Sequence, residues 1–198
     1  MSQVSRIVFS IWCPSKLGPG PNDPLSRGIP RVTETGIVLL GTPIGDFTFV
    51  EKILKSKIKK IQDITKALPD LCQPHLEFSL LKSCLALPKI VFFLRTTDTT
   101  PFPHLLDQFD AVTREALSRI IGGPVSDLEW EQAKLPVVLG GVGLRAAADH
   151  ASVAFATSYL SSFPRVQELL QLPQEEPPAL PVPLLIGLVA KTLHWMLL

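Results

Sequence analysis

Lysines dominate one stretch of this sequence, and their spacing is its clearest chemical signal. Between Glu51 and Lys66 there are six lysines and only two acidic residues, a local excess of four positive charges. If the stretch is an α-helix, Lys52, Lys55, Lys59 and Lys66 share one face, opposite the apolar residues. A basic stripe of this kind can follow the phosphates of a nucleic acid. The alternative is an ordinary solvated helix face, since no aromatic side chain accompanies the lysines.

A second candidate is the glycine-rich segment 140–143, which precedes a predicted helix and is followed closely by Arg145. Glycine-rich turns before helices can expose amides to an anion. The segment lacks both the P-loop pattern and the complete dinucleotide-binding glycine pattern. A structural turn is therefore the preferred interpretation, although Arg145 could still contact a backbone phosphate.

The remaining polar residues predict no catalytic or metal centre. Four scattered histidines accompany no nucleophile motif, and three cysteines include no Cys-x-x-Cys pair. Asp149 and His150 are interpreted as a structural pair near a helix start rather than a catalytic pair. We expect no enzymatic activity, no metal and no cofactor. The odd number of cysteines and the lack of a signal-peptide pattern indicate an intracellular protein, cytoplasmic or nuclear and not secreted.

The elements that must position these residues are predominantly helical. Apolar residues with a period of 3.6 predict a helix over residues 48–68, with a capping box formed by Thr48 and Glu51. Lys57 falls in the apolar arc. Either its stem lies along the apolar surface with the ammonium group in water, or the apolar stripe is narrower than these residues indicate. Further helices are predicted over residues 74–87, 89–95, 103–121 and 146–161, and another begins at Ser126. A kink at Pro88 precedes the helix over 89–95, and Ser126 opens a Ser-x-x-Glu capping box.

Strand signals occur only near the start of the chain. Residues 37–40 form a short apolar run closed by Gly41 and Pro43, which predicts a strand, and the other strand candidate is 5–12. The predicted fold class is therefore mainly α, a helical bundle with a small N-terminal two-stranded β element.

Length and composition favour one domain and a tail. The chain has 198 residues, 46% of them hydrophobic, and a formal charge of +1, so attraction to a polyanion must come from local clusters. The segment 173–183 is a proline-rich linker, and 184–198 is apolar but shorter than the roughly 20 residues that span a bilayer. A buried or partner-binding helix is preferred to a membrane anchor.

Several short motifs, taken in order, resemble the post-catalytic part of non-LTR retrotransposon reverse transcriptases. The resemblance covers roughly residues 30–162. Its motifs are residues 14–16 (Pro-Ser-Lys), 36–45, 80–84 (Leu-Leu-Lys-Ser-Cys), 93–96 (Phe-Leu-Arg-Thr), 130–136 (Trp-Glu-Gln-Ala-Lys-Leu-Pro), 140–145 (Gly-Gly-Val-Gly-Leu-Arg) and 146–161. One departure is Leu17-Gly18, where the family has Cys-Glu.

The resemblance implies a primer-grip hairpin with its turn at Leu40, Gly41 and Thr42, followed by a helical thumb that holds a template-primer duplex. It would direct the lysine face toward phosphates. The family's Asp-Asp pair, which holds two Mg²⁺ ions, has no counterpart, because the chain contains no Asp-Asp dipeptide and its single tyrosine, Tyr159, is followed by leucine. We therefore expect a fragment that cannot polymerise on its own.

Three parts are predicted. Residues 1–35 would be a remnant palm end and a Pro/Gly-rich loop, 36–164 the hairpin and thumb-like domain, and 165–198 the linker and apolar helix. The expected partner is the backbone of RNA or DNA, and no membrane. One alternative is a non-enzymatic interaction module that self-associates or binds a partner helix through 184–198; another is a degenerate open reading frame product without function.

Overall fold

Helices make up most of the computed structural model, which describes residues 35–171. The chain divides into two compact units, Met1–Ile53 and Leu54–Leu198. The predicted strand 5–12, the linker 173–183 and the apolar segment 184–198 lie outside the described residues. The fold class predicted from the sequence is confirmed: the protein is mainly helical, with a small two-stranded antiparallel element near the N-terminus.

The β element is a tight hairpin. Strand β1 (Gly36–Leu39) pairs with β2 (Thr42–Gly45), so that Leu39 lies opposite Thr42 and Gly36 opposite Gly45. Leu40 and Gly41 form a two-residue turn, with φ values of 50° and 85°. Two positive φ values match the twist of antiparallel strands.

The pairing of β1 with β2 agrees with the hairpin over residues 36–45 that the family resemblance implies. The alternative pairing with residues 5–12 lies outside the described residues, and the sequence pattern treats Pro43 as part of the closing turn. The structure instead places Pro43 within β2, opposite Val38. A two-stranded ribbon can accommodate proline because each strand is an edge, where an amide need not donate to a neighbouring strand.

Helix α1 (Phe47–Lys66) follows the hairpin directly. Its N-cap is Asp46, whose Oδ1 accepts hydrogen bonds from the Phe49 amide at 2.8 Å and the Thr48 hydroxyl at 2.9 Å. The predicted Thr48–Glu51 capping box is therefore wrong, since the helix begins before Thr48. A short 3₁₀ turn, Leu68–Leu71, follows α1.

The remaining helices belong to the second unit. They are α2 (Pro74–Leu80), α3 (Leu87–Thr96), α4 (Pro103–Ile121), α5 (Asp127–Lys134) and α6 (Ala147–Leu170). A π-helical turn, Leu81–Leu85, connects α2 to α3, and a 3₁₀ turn, Val137–Leu139, follows α5. The break before α3 agrees with the predicted kink, because Pro88 lacks an amide hydrogen and its ring clashes with the carbonyl four residues earlier.

Two features of this unit follow local sequence rules. Gly122 ends α4 with φ of 77°, and Ser126 caps α5 in a complete capping box with Glu129. Val125 and Trp130, which flank the start of α5, are both buried in one apolar cluster. The predicted boundaries of α4 and start of α5 are thus confirmed.

The last helix is longer than predicted. The sequence suggests an end near Ser161, but α6 continues to Leu170 with Pro164 inside it. The carbonyl that Pro164 leaves without an intrahelical donor belongs to Leu160, whose side chain is exposed. Water can satisfy this carbonyl, which reduces the cost of the proline.

The core of the second unit lies where α3, α4 and α6 meet. Alanines on α6 allow close packing: Ala147, Ala151 and Ala156 are all buried. The largest fully buried side chains are Phe93, Phe109, Leu54, Leu81, Ile90, Leu94, Leu105 and Leu144. Among residues 35–171, no helix is long and apolar enough to cross a membrane.

Candidate nucleic-acid interface

The lysines singled out from the sequence all lie exposed on α1. Lys52 belongs to the first unit, whereas Lys55, Lys59 and Lys66 belong to the second. At about 100° per residue the three positions in the second unit fall within an arc of about 40°. Leu54, at the centre of the apolar face, is fully buried. The part of the helix in the second unit therefore presents its apolar face to the core and its lysines to solvent.

In the second unit, acidic residues neutralise few of the lysines in this stripe. Lys59 and Lys66 form no ion pair with any residue in the described part of the chain. Lys55 to Lys66 spans about 17 Å at 1.5 Å per residue, roughly five nucleotides at about 3.4 Å per nucleotide of one strand. Asp63 is exposed and lies at the edge of the same arc, so it reduces the positive potential locally.

Lys57 takes a different direction from the other lysines. Its side chain is half-buried, and its Nζ lies 5.6 Å from the centroid of the Phe93 ring. This is the geometry of a cation–π contact. The sequence-based expectation that Lys57 points to the apolar side is therefore confirmed, and the residue contributes to packing rather than to the stripe.

The glycine-rich segment is a structural turn that folds against the end of α5. The amides of Gly143 and Leu144 donate to the carbonyls of Leu135 at 2.9 Å and Ala133 at 3.1 Å. A Cβ at Gly141 would lie 2.1 Å from the Leu135 carbonyl oxygen, so no side chain fits there. The glycines allow the backbone of this turn to approach the backbone at the end of α5 closely.

The amides at the start of α6 are already occupied. The carboxylate of Asp110 on α4 accepts hydrogen bonds from the Ala147 amide at 2.6 Å and the Ala148 amide at 3.0 Å. A phosphate cannot use the same donors, which removes the anion-loop interpretation of residues 140–143. Sequence reasoning did not identify Asp110, because it caps a helix that begins 37 residues later.

Burial controls the ionisation of Asp110. Desolvation raises the pKa of this carboxyl from its ordinary 3.8 to about 6, although the hydrogen bonds from Ala148 and Ala147 oppose the change. The nearby charge of Asp149 raises the pKa further, and Lys134 lowers it. Lys134 also bonds Asp149 at 3.0 Å and Glu131 at 2.7 Å. The helix start is therefore held by a small charged network.

His150 completes this structural network. Its Nδ1 lies 2.9 Å from the Ala146 carbonyl oxygen, and the side chain is half-buried. In the described range 35–171, no group of three or more His, Cys, Asp or Glu side chains could hold a metal ion. Cys72 and Cys84 are exposed free thiols.

Arg145 shares a cleft with Lys82, a residue that sequence reasoning did not name as a site residue. Together with Lys82 it lines a cleft of about 520 Å³ between α2, α3 and the glycine-rich turn, and none of the α1 lysines lines this cleft. The only sequence signal for Lys82 is its place in the motif at 80–84. The structure thus places Arg145 and Lys82 in the lining of one cleft.

The residues proposed for a primer-grip turn lie in the first unit. Leu40 and Gly41 form the hairpin tip, where Leu40 is 89% exposed, while Thr42 is already the first residue of β2. The turn therefore consists of two of the three predicted residues.

Sequence comparison gives one distant, partial relationship. The chain is 35% identical over 69 residues to the retrotransposable element SLACS 132 kDa protein of Trypanosoma brucei gambiense. The chain is related in part to a retrotransposable-element protein. The similar stretch covers 35% of this chain but only 6% of that protein. No family model and no solved structure matches the chain.

Proposed function

We propose that this protein binds the phosphate backbone of nucleic acid without sequence preference, as a non-catalytic fragment resembling a retrotransposon reverse transcriptase thumb. The observation that carries the proposal is the stripe of exposed lysines on α1. Lys59 and Lys66 have no ion-pair partner among the described residues, so they remain available to phosphates. The partial similarity to a retrotransposable-element protein supports the same proposal.

Arg145 extends the proposed interface as a separate contact. Its guanidinium is exposed and forms no ion pair within residues 35–171. A planar guanidinium can engage two phosphate oxygens at once, which gives orientation as well as affinity. The hairpin tip at Leu40, Gly41 and Thr42 is proposed as a primer-grip-like contact on the basis of the family resemblance.

The α1 stripe can be tested by charge removal in the full chain. Replacing Lys55, Lys59 and Lys66 together with glutamine should weaken binding to a primer-template duplex and reduce the salt dependence by about three phosphate contacts. The matched control is Lys60→Gln, which removes the same kind of charge from another face of α1. Asp63→Asn should strengthen binding. Unchanged affinity in the triple variant, measured by fluorescence anisotropy, would contradict the proposal.

An interaction module is the second candidate, favoured by an exposed apolar surface around α5 and the following turn. Leu128 is 84% exposed, Val138 is 94% exposed, and Val137 lies beside it at 68%. Exposed apolar clusters often mark protein contacts. If this surface mediates self-association, the full chain should sediment as an oligomer, and Val138→Glu should shift it toward monomer. A monomeric wild-type chain would argue against this candidate.

A further inference from the structure

The cleft beside Arg145 combines positive charge with an apolar wall. Its volume of about 520 Å³ lies within the usual range of about 300–1,000 Å³ for small-ligand pockets. Among the described residues that line it, the charged side chains are Lys82 and Arg145, and none is acidic. The cleft is therefore suited to an anion that also carries apolar surface.

Neither cation is neutralised within residues 35–171. The side chains of Lys82 and Arg145 form no hydrogen bond or ion pair with any residue that the structure describes. Lys82 is half-buried as a residue, and no acidic side chain among the described residues supplies its ammonium group with a counter-charge. Gly143 leaves room for this group, because a Cβ there would lie 3.0 Å from the Lys82 Nζ.

The backbone holds Lys82 in an unusual conformation. Lys82 lies in the π-helical turn, where the Ala86 amide donates to the Leu81 carbonyl at 2.8 Å. Single π-helical turns are frequent at functional sites because they redirect side chains. Ser83, next in the turn, donates its hydroxyl to the Ser79 carbonyl at 2.5 Å. This turn brings Lys82 and Ser83 into the lining of the cleft.

The cleft also has apolar lining residues. They are Phe78, Leu87, Pro88 and Val91, and Phe78 packs against the buried apolar cluster. A phosphate alone would make no use of this wall. A base would, since aromatic and apolar side chains stack against exposed base faces. Inside a duplex those faces are covered by neighbouring bases, whereas an unpaired nucleotide presents both its phosphate and its base.

We propose that this cleft binds one unpaired nucleotide of a nucleic-acid strand, with its phosphate between Lys82 and Arg145 and its base against the apolar wall. The proposal rests on the proposed function only in taking nucleic acid as the ligand. It adds that the protein distinguishes a strand with an unpaired end from a fully paired duplex, which the α1 stripe alone would not do.

The test compares a blunt duplex with the same duplex carrying a short unpaired extension. The full chain should bind the extended duplex about tenfold more tightly. Lys82→Gln should remove most of this gain, as should Ser79→Trp, which fills the cleft without changing charge. Lys89→Gln, an exposed lysine outside the lining, is the matched control and should retain the gain. Equal affinity of the wild type for both duplexes would overturn the proposal.

The α1 variants separate this proposal from the proposed function. The triple lysine variant should weaken binding of both duplexes while keeping their ratio. If the triple variant has no effect but Lys82→Gln removes the gain, the cleft stands and the α1 interface fails. If the triple variant weakens binding and no gain exists, the cleft alone fails. If neither duplex binds, both proposals are wrong.

Competition identifies what the cleft recognises. An excess of a free nucleoside monophosphate should reduce the extension-dependent gain, because it carries the same phosphate and base. Inorganic phosphate at the same concentration should have less effect. Equal competition by inorganic phosphate, or by a glutamate-rich peptide, would contradict recognition of a nucleotide.

Discussion

Asp110 is a buried carboxylate that holds the start of α6 from a neighbouring helix. It is 8% exposed and accepts two backbone hydrogen bonds, from Ala147 and Ala148. The residue preceding α6, Ala146, has no side chain that could cap the helix. Asp110 therefore satisfies amides that would otherwise lack acceptors.

The raised pKa of Asp110 predicts a specific pH dependence of stability. The folded protein binds this proton more tightly than the unfolded chain, so the stabilisation is present below 3.8 and is lost as pH rises through about 6. The difference corresponds to about 3 kcal/mol at 1.36 kcal/mol per pH unit. The side chain introduced by Asp110→Asn does not titrate, so the stability of this variant should lack this pH-dependent contribution.

Denaturant unfolding of the wild type and Asp110→Asn across this pH range provides the measurement. The free energy of unfolding of the wild type should fall relative to the variant as pH rises. A difference between the two proteins that stays constant with pH would show that burial does not raise the pKa of Asp110.

Thr97 carries a buried hydroxyl with no hydrogen-bond partner among the described residues. Its side chain is 7% exposed and its backbone is extended, which suits a β-branched residue. Thr97→Val should stabilise the protein by about 1–2 kcal/mol, since it removes an unsatisfied polar group and keeps the shape.

The matched control for Thr97→Val is Thr113→Val. Thr113 is also buried, but its hydroxyl donates to the Phe109 carbonyl at 3.3 Å. Valine at 113 should therefore not stabilise the protein. Thermal unfolding of both variants tests the contrast, and destabilisation by Thr97→Val would mean that its hydroxyl has a partner in solution.

Among the secondary-structure connections, the turn between α5 and α6 depends on Gly141, because no side chain fits at this position. A Cβ at Gly141 would meet the backbone oxygens of Leu135 and Gln132 at 2.1 and 2.5 Å. Gly141→Ala should therefore destabilise the protein by about 1–3 kcal/mol, because backbone must move.

Gly123 is the appropriate comparison for Gly141. A Cβ added at Gly123 would have no neighbouring atom within 4 Å, and the φ of this residue is not positive. Gly123→Ala should leave stability nearly unchanged or raise it slightly. Equal effects of the two substitutions on the melting temperature would contradict the close packing of the turn.

Elements specified by local chemistry were predictable from the sequence. The Ser126–Glu129 capping box spans four residues, and Gly122 lies immediately after α4, so both can be recognised without knowing the tertiary structure. The start of α1 was mispredicted because Asp46 and Thr48 are both good caps, and the hairpin before the helix decides between them.

Features specified by distant contacts were not predictable. Asp110 caps α6 across 37 residues, and Lys82 and Arg145 line one cleft only because the π-helical turn and the glycine-rich turn come together. Pro164 within α6 is another feature that the local sequence did not predict. A proline usually ends a helix, but an exposed carbonyl reduces its cost there.

Over the whole molecule, positive charge is concentrated in local clusters, and the net charge is small. The formal charge of the chain is +1, so a nucleic acid would not be attracted by net charge. The α1 stripe and the Lys82–Arg145 cleft are the local exceptions among the described residues. Binding should therefore be weak at physiological salt and strengthen sharply as salt is removed.

The most direct test of the account is the salt dependence of duplex binding by the intact protein. If the α1 lysines neutralise phosphates, the logarithm of the association constant should fall linearly with the logarithm of salt concentration, with a slope of about −3 to −4 for about four contacts. The slope should be the same for unrelated duplex sequences. An absence of binding at low salt, or binding that does not change with salt, would contradict the account.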